Sequence, residues 1–193
     1  MNILGIVASP RKNGNSEIMV NEALKTAREA GCETEIFLAA GKRLEPCLAC
    51  GSCFRVGACV QKDDMQELYR LYEKADGIIL CSPVYFHNVS AQAKIIMDRT
   101  FALLMKQNLK GKVGGAIVTV RRIGGSQTRA LIYDFFIAHH MVVAGGAIGY
   151  GPHPGDVLTG VGGGINMSAM DEARMVGLNV TALVKKLKSK LPE

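Results

Sequence analysis

At 193 residues, 48% apolar and 21% charged, the chain has the size and composition of one globular domain with a substantial core, which excludes a disordered or fibrous protein. No apolar stretch nears the roughly 18 residues of a membrane span, and the short run before Arg11 lacks the charged start of a secretory leader, so a soluble cytoplasmic protein is expected. The net charge of +6 is dispersed rather than gathered into a nucleic-acid face; its one dense cluster, Lys185, Lys186, Lys188 and Lys190, reads as the solvated end of a last helix.

Residues 3–8 form an apolar run that predicts the first strand, and SPRKNGNS breaks it into a turn before a helical pattern. Strand, loop and helix in that order offer an anion the free N–H groups of a helix start. Ser9, Asn15 and Ser16 add hydroxyl and amide donors, and Arg11 adds a forked cation suited to phosphate. The loop matches neither G-x-G-x-x-G nor G-x-x-x-x-G-K-[ST], so an ordinary turn capped by Asn15 or Ser16 stays open beside a phosphate cradle.

Val20, Leu24 and Ala27 share one face of the following helix, closed by Gly31, and residues 34–38 read as a second strand. From about residue 39 to 61 no periodicity appears, and a loop of that length suggests function. Asp63 or Asp64 is expected to cap a helix with Met65, Leu68, Leu71, Tyr72 and Ala75 inward. GIILC, residues 77–81, reads as a buried third strand, followed by a helix over about 90–105. A fourth strand over 113–120, a helix over about 128–139 with Leu131, Ile132, Phe135 and Phe136 inward, and a fifth strand over 141–148 come next. Residues 149–164 read as an extended loop over the site or at an oligomer contact. A last helix from near Ser168 carries Ala173, Val176, Val180, Leu183, Val184, Leu187 and Leu191 on one side.

Five apolar strands alternating with five helices imply a single α/β domain over residues 1–193. The fold expected is flavodoxin-like: a doubly wound five-stranded parallel sheet of order 2-1-3-4-5, helices on both faces, with the cysteine-rich loop inserted after strand 2. Ligands of such sheets lie beyond the carboxyl ends of the strands, at the switch point between strands 1 and 3. The loops after strands 1, 3 and 4 meet there. The second brings Pro83, Val84, the aromatic faces of Tyr85 and Phe86, and the Asn88 amide; the third brings Arg121, Arg122, Gly124 and Gly125. A phosphate pocket beside a planar aromatic slot describes flavin mononucleotide, FMN, although Tyr85 and Phe86 alone could equally be core or interface aromatics. These residues resemble the phosphate- and ring-binding loops of the NAD(P)H-dependent FMN reductase superfamily over essentially the whole chain. One departure is Val120-Arg121-Arg122 where family members often place glycines, which leaves open whether the arginines are surface groups or tune the flavin.

Cys47, Cys50, Cys53 and Cys59 give C-x2-C-x2-C-x5-C. Such compact spacing can turn four thiolates to one centre, and it is tighter than the paired doublets usual for structural zinc. A [4Fe–4S] cluster is the first reading, zinc the second, unligated thiols the third. On a scaffold of this kind the run resembles the iron–sulfur flavoprotein family. That resemblance implies one FMN and one cluster per subunit, electron transfer between a one-electron donor such as ferredoxin and a small-molecule or protein acceptor, and a homodimer or homotetramer whose cluster reaches its own or a neighbour's flavin. Two rivals remain: an NAD(P)H-dependent FMN or quinone reductase without a cluster, and a zinc-stapled binding module that is not an enzyme. Cys32 and Cys81 read as core thiols and His139 and His140 as packing or capping groups; His87 could face flavin, and His153 carries no signal. No residue stands out as an acid, base or nucleophile, which suits chemistry done by cofactors.

Overall fold

The computed structural model describes residues 1–164 and 166–189; Lys190 and Leu191, which the sequence pattern assigned to the last helix, lie outside them. The chain alternates β1 (Asn2–Val7), α1 (Asn15–Glu29), β2 (Glu33–Leu38), α2 (Ser52–Val56), α3 (Met65–Lys74), β3 (Gly77–Pro83), α4 (Ala91–Arg99), α5 (Phe101–Leu104), β4 (Val113–Val120), α6 (Gly125–Ala138), β5 (Val142–Tyr150) and α7 (Ala169–Lys188). One turn of 3-10 helix, Asp156–Leu158, sits in the glycine-rich segment before α7. All strands are parallel, in the order β2-β1-β3-β4-β5 expected of a flavodoxin-like sheet. Among the described residues no helix is long and apolar enough to cross a membrane.

Alternation along each strand divides the core into two layers. Ile3, Val7, Ile79, Cys81, Ile117 and Ala147 pack against α1 and α7, which press Val20, Leu24, Val176 and Val180 onto that face. Leu4, Ile6, Ile78, Leu80, Ala116 and Val118 face α3, α4 and α6, with Leu68, Tyr72, Ile96 and Phe136 inward. Both faces of β3 and β4 are therefore covered, which is why those strands read as unbroken apolar runs.

Several boundaries differ from the sequence pattern for identifiable reasons. The helix expected over 90–105 breaks at Thr100, whose Oγ1 donates to the Met97 carbonyl (2.6 Å) and sits 2.9 Å from Nε2 of buried His139. β5 runs on to Tyr150 because β4 continues beside it, pairing Thr119 with Gly149 and Val120 with Tyr150. The helix start α6 moves forward to Gly125, since Gly124 at φ +94° turns the chain and accepts from the Thr128 amide. Of the two aspartates it is Asp63 that caps the start of α3: its Oδ1 accepts from the Met65 amide (3.3 Å) while the carboxylate is also drawn into a buried ion pair, and Asp64 Oδ2 accepts from the Arg43 amide (2.6 Å) instead. The cysteine-rich loop contains a short helix, α2, bounded by Gly51 and Gly57 at φ +67° and +69°.

Two candidate cofactor sites

At the switch point, the loop after β1 and the start of α1 form one side of a cavity of about 290 Å³. Ser9, Arg11, Gly14, Asn15 and Ser16 line it, across from Pro83, Val84 and Tyr85. Asn15 and Ser16 stand in the first turn of α1, where helix geometry leaves amide N–H groups without carbonyl partners. Their side chains are otherwise engaged. Asn15 Nδ2 donates to the carbonyls of Gly151 (3.1 Å) and His153 (2.8 Å), and its Oδ1 accepts from the Gly155 amide (2.8 Å). Ser16 Oγ lies 2.8 Å from Thr119 Oγ1, buried beneath the cavity floor. The two residues thus bring backbone donors to the cavity and use their side chains to hold the walls. Ser9 Oγ accepts from the Arg11 amide (3.1 Å) and tightens the turn; the Arg11 side chain is exposed at the rim.

The loop after β3 is rigid for a different reason. Tyr85 and Asn88 exchange two backbone hydrogen bonds of 3.0 Å, closing a two-residue hairpin over Phe86 and His87 at φ +49° and +61°. That turn favours Asn-Gly, and two side-chain-bearing residues there are strained. Its effect is to project Phe86 wholly into solvent, at 102% exposure. Ser90 Oγ ties the base of this loop to the β1 end through the Ala8 carbonyl, and Ser82 Oγ accepts from the Ser90 amide (2.9 Å). Asn88 Oδ1 accepts from the Val89 amide (2.8 Å) and leaves its amide nitrogen on the exposed side.

A second depression of about 540 Å³ continues the first: Val84, Val120 and Arg121 line both, with Phe86, His87 and Arg122 beyond. Gly124 and Gly125 do not line either cavity. A Cβ on Gly124 would meet Val84 at 3.0 Å and the His87 backbone at 3.1 Å, so this glycine lets the second and third loops close on each other; one on Gly125 would meet Ile148 of β5 at 2.8 Å, so that glycine lets the start of α6 lie on the sheet. One end of the combined groove is lined by Ser9, Arg11 and the first turn of α1, the other by Phe86, His87 and Arg122. The groove fits an FMN.

All four cysteines of the C-x2-C-x2-C-x5-C run border a different cavity, of about 510 Å³, walled by α4, α5 and α6. Phe54 of α2 packs edge-on against Phe101 (5.2 Å between centroids) and holds the loop onto this wall. Ser52 hydrogen-bonds Cys50 and holds its exposed thiol below the ordinary cysteine range, whereas burial pushes the Cys81 thiol up to about 12. Among the described residues no three His, Cys, Asp or Glu side chains converge closely enough to hold an ion. Four thiols ringing a large cavity suit a polynuclear centre better than a single tetrahedral ion, which needs sulfurs at about 2.3 Å.

A buried arginine closes this site. Arg99 Nη1 and Nη2 pair with Asp63 at 2.8 and 3.0 Å, and both side chains are 1% exposed. Nothing in the cysteine spacing points to Arg99; the signal was its place at the spacing Ala93, Ile96, Arg99 on the inward face of α4. Thr119 and residues 151–154 are likewise site residues that no motif marks.

Comparison with known proteins follows these features closely. A family model described as NADPH-dependent FMN reductase matches residues 1–152. An iron-sulfur flavoprotein of Methanocaldococcus jannaschii is 41% identical over 97% of this chain and 100% of its own. One of Methanosarcina thermophila is 36% identical over 98% of this chain and 100% of its own. Among solved structures, RosB with bound 8-demethyl-8-formylriboflavin-5′-phosphate superposes with a TM-score of 0.74 at 16% identity, covering 98% of this chain and 81% of that one. The WrbA-like flavodoxin of Agrobacterium tumefaciens gives 0.67 at 13% identity, covering 96% and 98%. At such identities the structural likeness speaks for the fold.

Proposed function

We propose that this chain, which belongs to the NADPH-dependent FMN reductase family and stands there with the iron–sulfur flavoproteins, carries electrons between a ferredoxin-like one-electron donor and a small-molecule or protein acceptor. It is an FMN-dependent oxidoreductase of the iron–sulfur flavoprotein kind. Bound FMN exchanges one or two electrons and a [4Fe–4S] cluster one, which lets such a protein join single-electron to paired-electron chemistry.

The observation that carries this reading is the pair of separate cavities, one at the switch point and one ringed by four cysteines. In the first, Ser9, Arg11 and the amides of Asn15 and Ser16 hold the phosphate, while Pro83, Val84, Tyr85, Phe86 and Asn88 flank the ring system. Gly124 acts by setting the distance between the second and third loops, and Gly125 by letting the start of α6 lie against β5. In the second, Cys47, Cys50, Cys53 and Cys59 hold the cluster. The two cavities share no lining residue, and Arg99 lies roughly 13 Å down α4 from the loop that borders the flavin groove. In this reading the chain forms a homodimer or homotetramer, and the cluster serves its own flavin or that of a neighbouring subunit.

Metal, sulfide and flavin analysis of protein prepared without oxygen tests the assignment. Near-stoichiometric iron, sulfide and FMN are expected. A flavin-only spectrum would select an NAD(P)H-dependent FMN or quinone reductase, and zinc without iron would select a stapled binding module. Cys50→Ser should abolish the cluster and leave FMN bound. Arg11→Ala should weaken FMN by about tenfold or more, the equivalent of one charge-assisted hydrogen bond of about 1.5 kcal/mol; unchanged affinity would remove Arg11 from the cradle.

A further inference from the structure

Both stems of the cysteine loop are tied to one guanidinium. Arg99 Nη1 donates to the Glu45 carbonyl (2.7 Å) as well as to Asp63, and Asp63 Oδ2 accepts from the Glu45 amide (2.9 Å). Glu45 stands just before Cys47 and Asp63 just after Cys59. The Arg99 carbonyl in turn accepts from the Tyr69 hydroxyl (2.9 Å). Every contact so far uses the fork or the backbone. Arg99 Nε is buried and has no partner among the described residues. An unpaired buried donor costs about 1–3 kcal/mol, so a group left in that state needs a reason. Arg99 is also part of the wall of the cavity that the four cysteines ring, Cys59 among them.

We propose that Arg99 is a positioning residue for the iron–sulfur centre: Asp63 fixes the fork, and the leftover Nε–H donates to sulfur on the Cys59 side of the cavity. This rests on the cluster assignment made above. A donor to cluster sulfur stabilises the reduced, more negative form over the oxidised one and raises the potential at which the electron is accepted. Paired with Asp63, the guanidinium adds no net charge beside the cluster, so the effect comes from the directed N–H rather than from net charge.

The test uses the full chain, purified and kept without oxygen, with potentiometric titration of the cluster followed by EPR. Arg99→Lys keeps a cation for Asp63 but removes the lateral donor. Its cluster should show about tenfold weaker electron affinity, about 59 mV for a one-electron couple, with FMN content unchanged. The double variant Arg99→Gln/Asp63→Asn removes both charges together, leaves no buried ion unpaired, and should show the same shift. On the wild-type protein, labelling arginine with nitrogen-15 should produce an arginine nitrogen coupling in the pulsed EPR spectrum of the reduced cluster. An unchanged potential in a folded variant, or no arginine coupling in the wild type, overturns the role of Arg99 while leaving the cluster in place. If the variants fail to fold, the wild-type coupling decides alone. Absence of iron and sulfide from the wild type would instead overturn the cluster assignment, and this inference with it.

Discussion

Arg99 and Asp63 show how far a single side chain can depart from what its neighbours in sequence suggest. Burial alone would raise the Asp63 carboxyl, but the Arg99 hydrogen bonds and charge hold it below the usual range. Removing one partner of a buried pair strands the other, so Asp63→Ala should cost about 3–5 kcal/mol in denaturant unfolding, far more than loss of an exposed pair such as Lys94–Asp98. His139 gives a pH dependence. Burial, reinforced by His140, pulls its pKa down, so below about pH 6.5 the unfolded chain binds a proton that the folded chain resists. Stability should therefore be fully present above that pH and fall as the pH drops below it. His139→Gln should flatten the profile between pH 7 and 5 in thermal melts, and an identical slope in the variant would assign the effect elsewhere. At the flavin loop, Phe86→Asn/His87→Gly supplies the residues this turn favours. It should stabilise the flavin-free protein by about 1–2 kcal/mol and weaken FMN by removing the aromatic wall, measured by melting and by fluorescence titration.

Elements were legible wherever periodicity and turn chemistry agreed. β4 falls on the expected residues 113–120, Ser168 caps α7 through the Asp171 amide, and Gly31 takes the left-handed conformation expected after α1. What the pattern could not supply is how closely elements approach. At Gly177 of α7 a Cβ would lie 2.3 Å from the Ala23 carbonyl oxygen of α1, a backbone atom with no rotamer to escape into. Gly177→Ala gains about 1 kcal/mol in helix propensity, yet overpacking of this kind costs about 1–3 kcal/mol, so the variant should melt lower. Helix breaks were equally hidden. Thr100 is compatible with a continuous helix by composition, and only the hydroxyl between Met97 and His139 shows why α4 stops.

Across the whole molecule the sheet and the cysteine loop are built as separable parts. The groove at the switch point is formed by strand ends and pinned by Ser90, Asn15 and Ser16, none of which touches the cysteine cavity. Oxidative loss or chelation of the cluster should thus leave FMN content and far-UV circular dichroism unchanged while making residues 47–59 easier to cleave by protease; loss of flavin in parallel would show the two sites to be one cooperative unit. The strand order and the helices on both faces could be read from the chain alone, because apolar alternation and glycine-rich turns are local signals that survive in one dimension; for the cofactors, the loop and cysteine patterns left alternatives that the family resemblance narrowed to FMN and a cluster. Tertiary structure alone decided which polar atoms remain free to act. Asn15 reaches Gly151, Ser16 reaches Thr119 and Arg99 reaches Asp63, partners 136, 103 and 36 positions apart. A side chain's hydrogen-bonding capacity is written in its residue type, but whether that capacity is spent on the scaffold or left for a ligand depends on which distant segment folds against it.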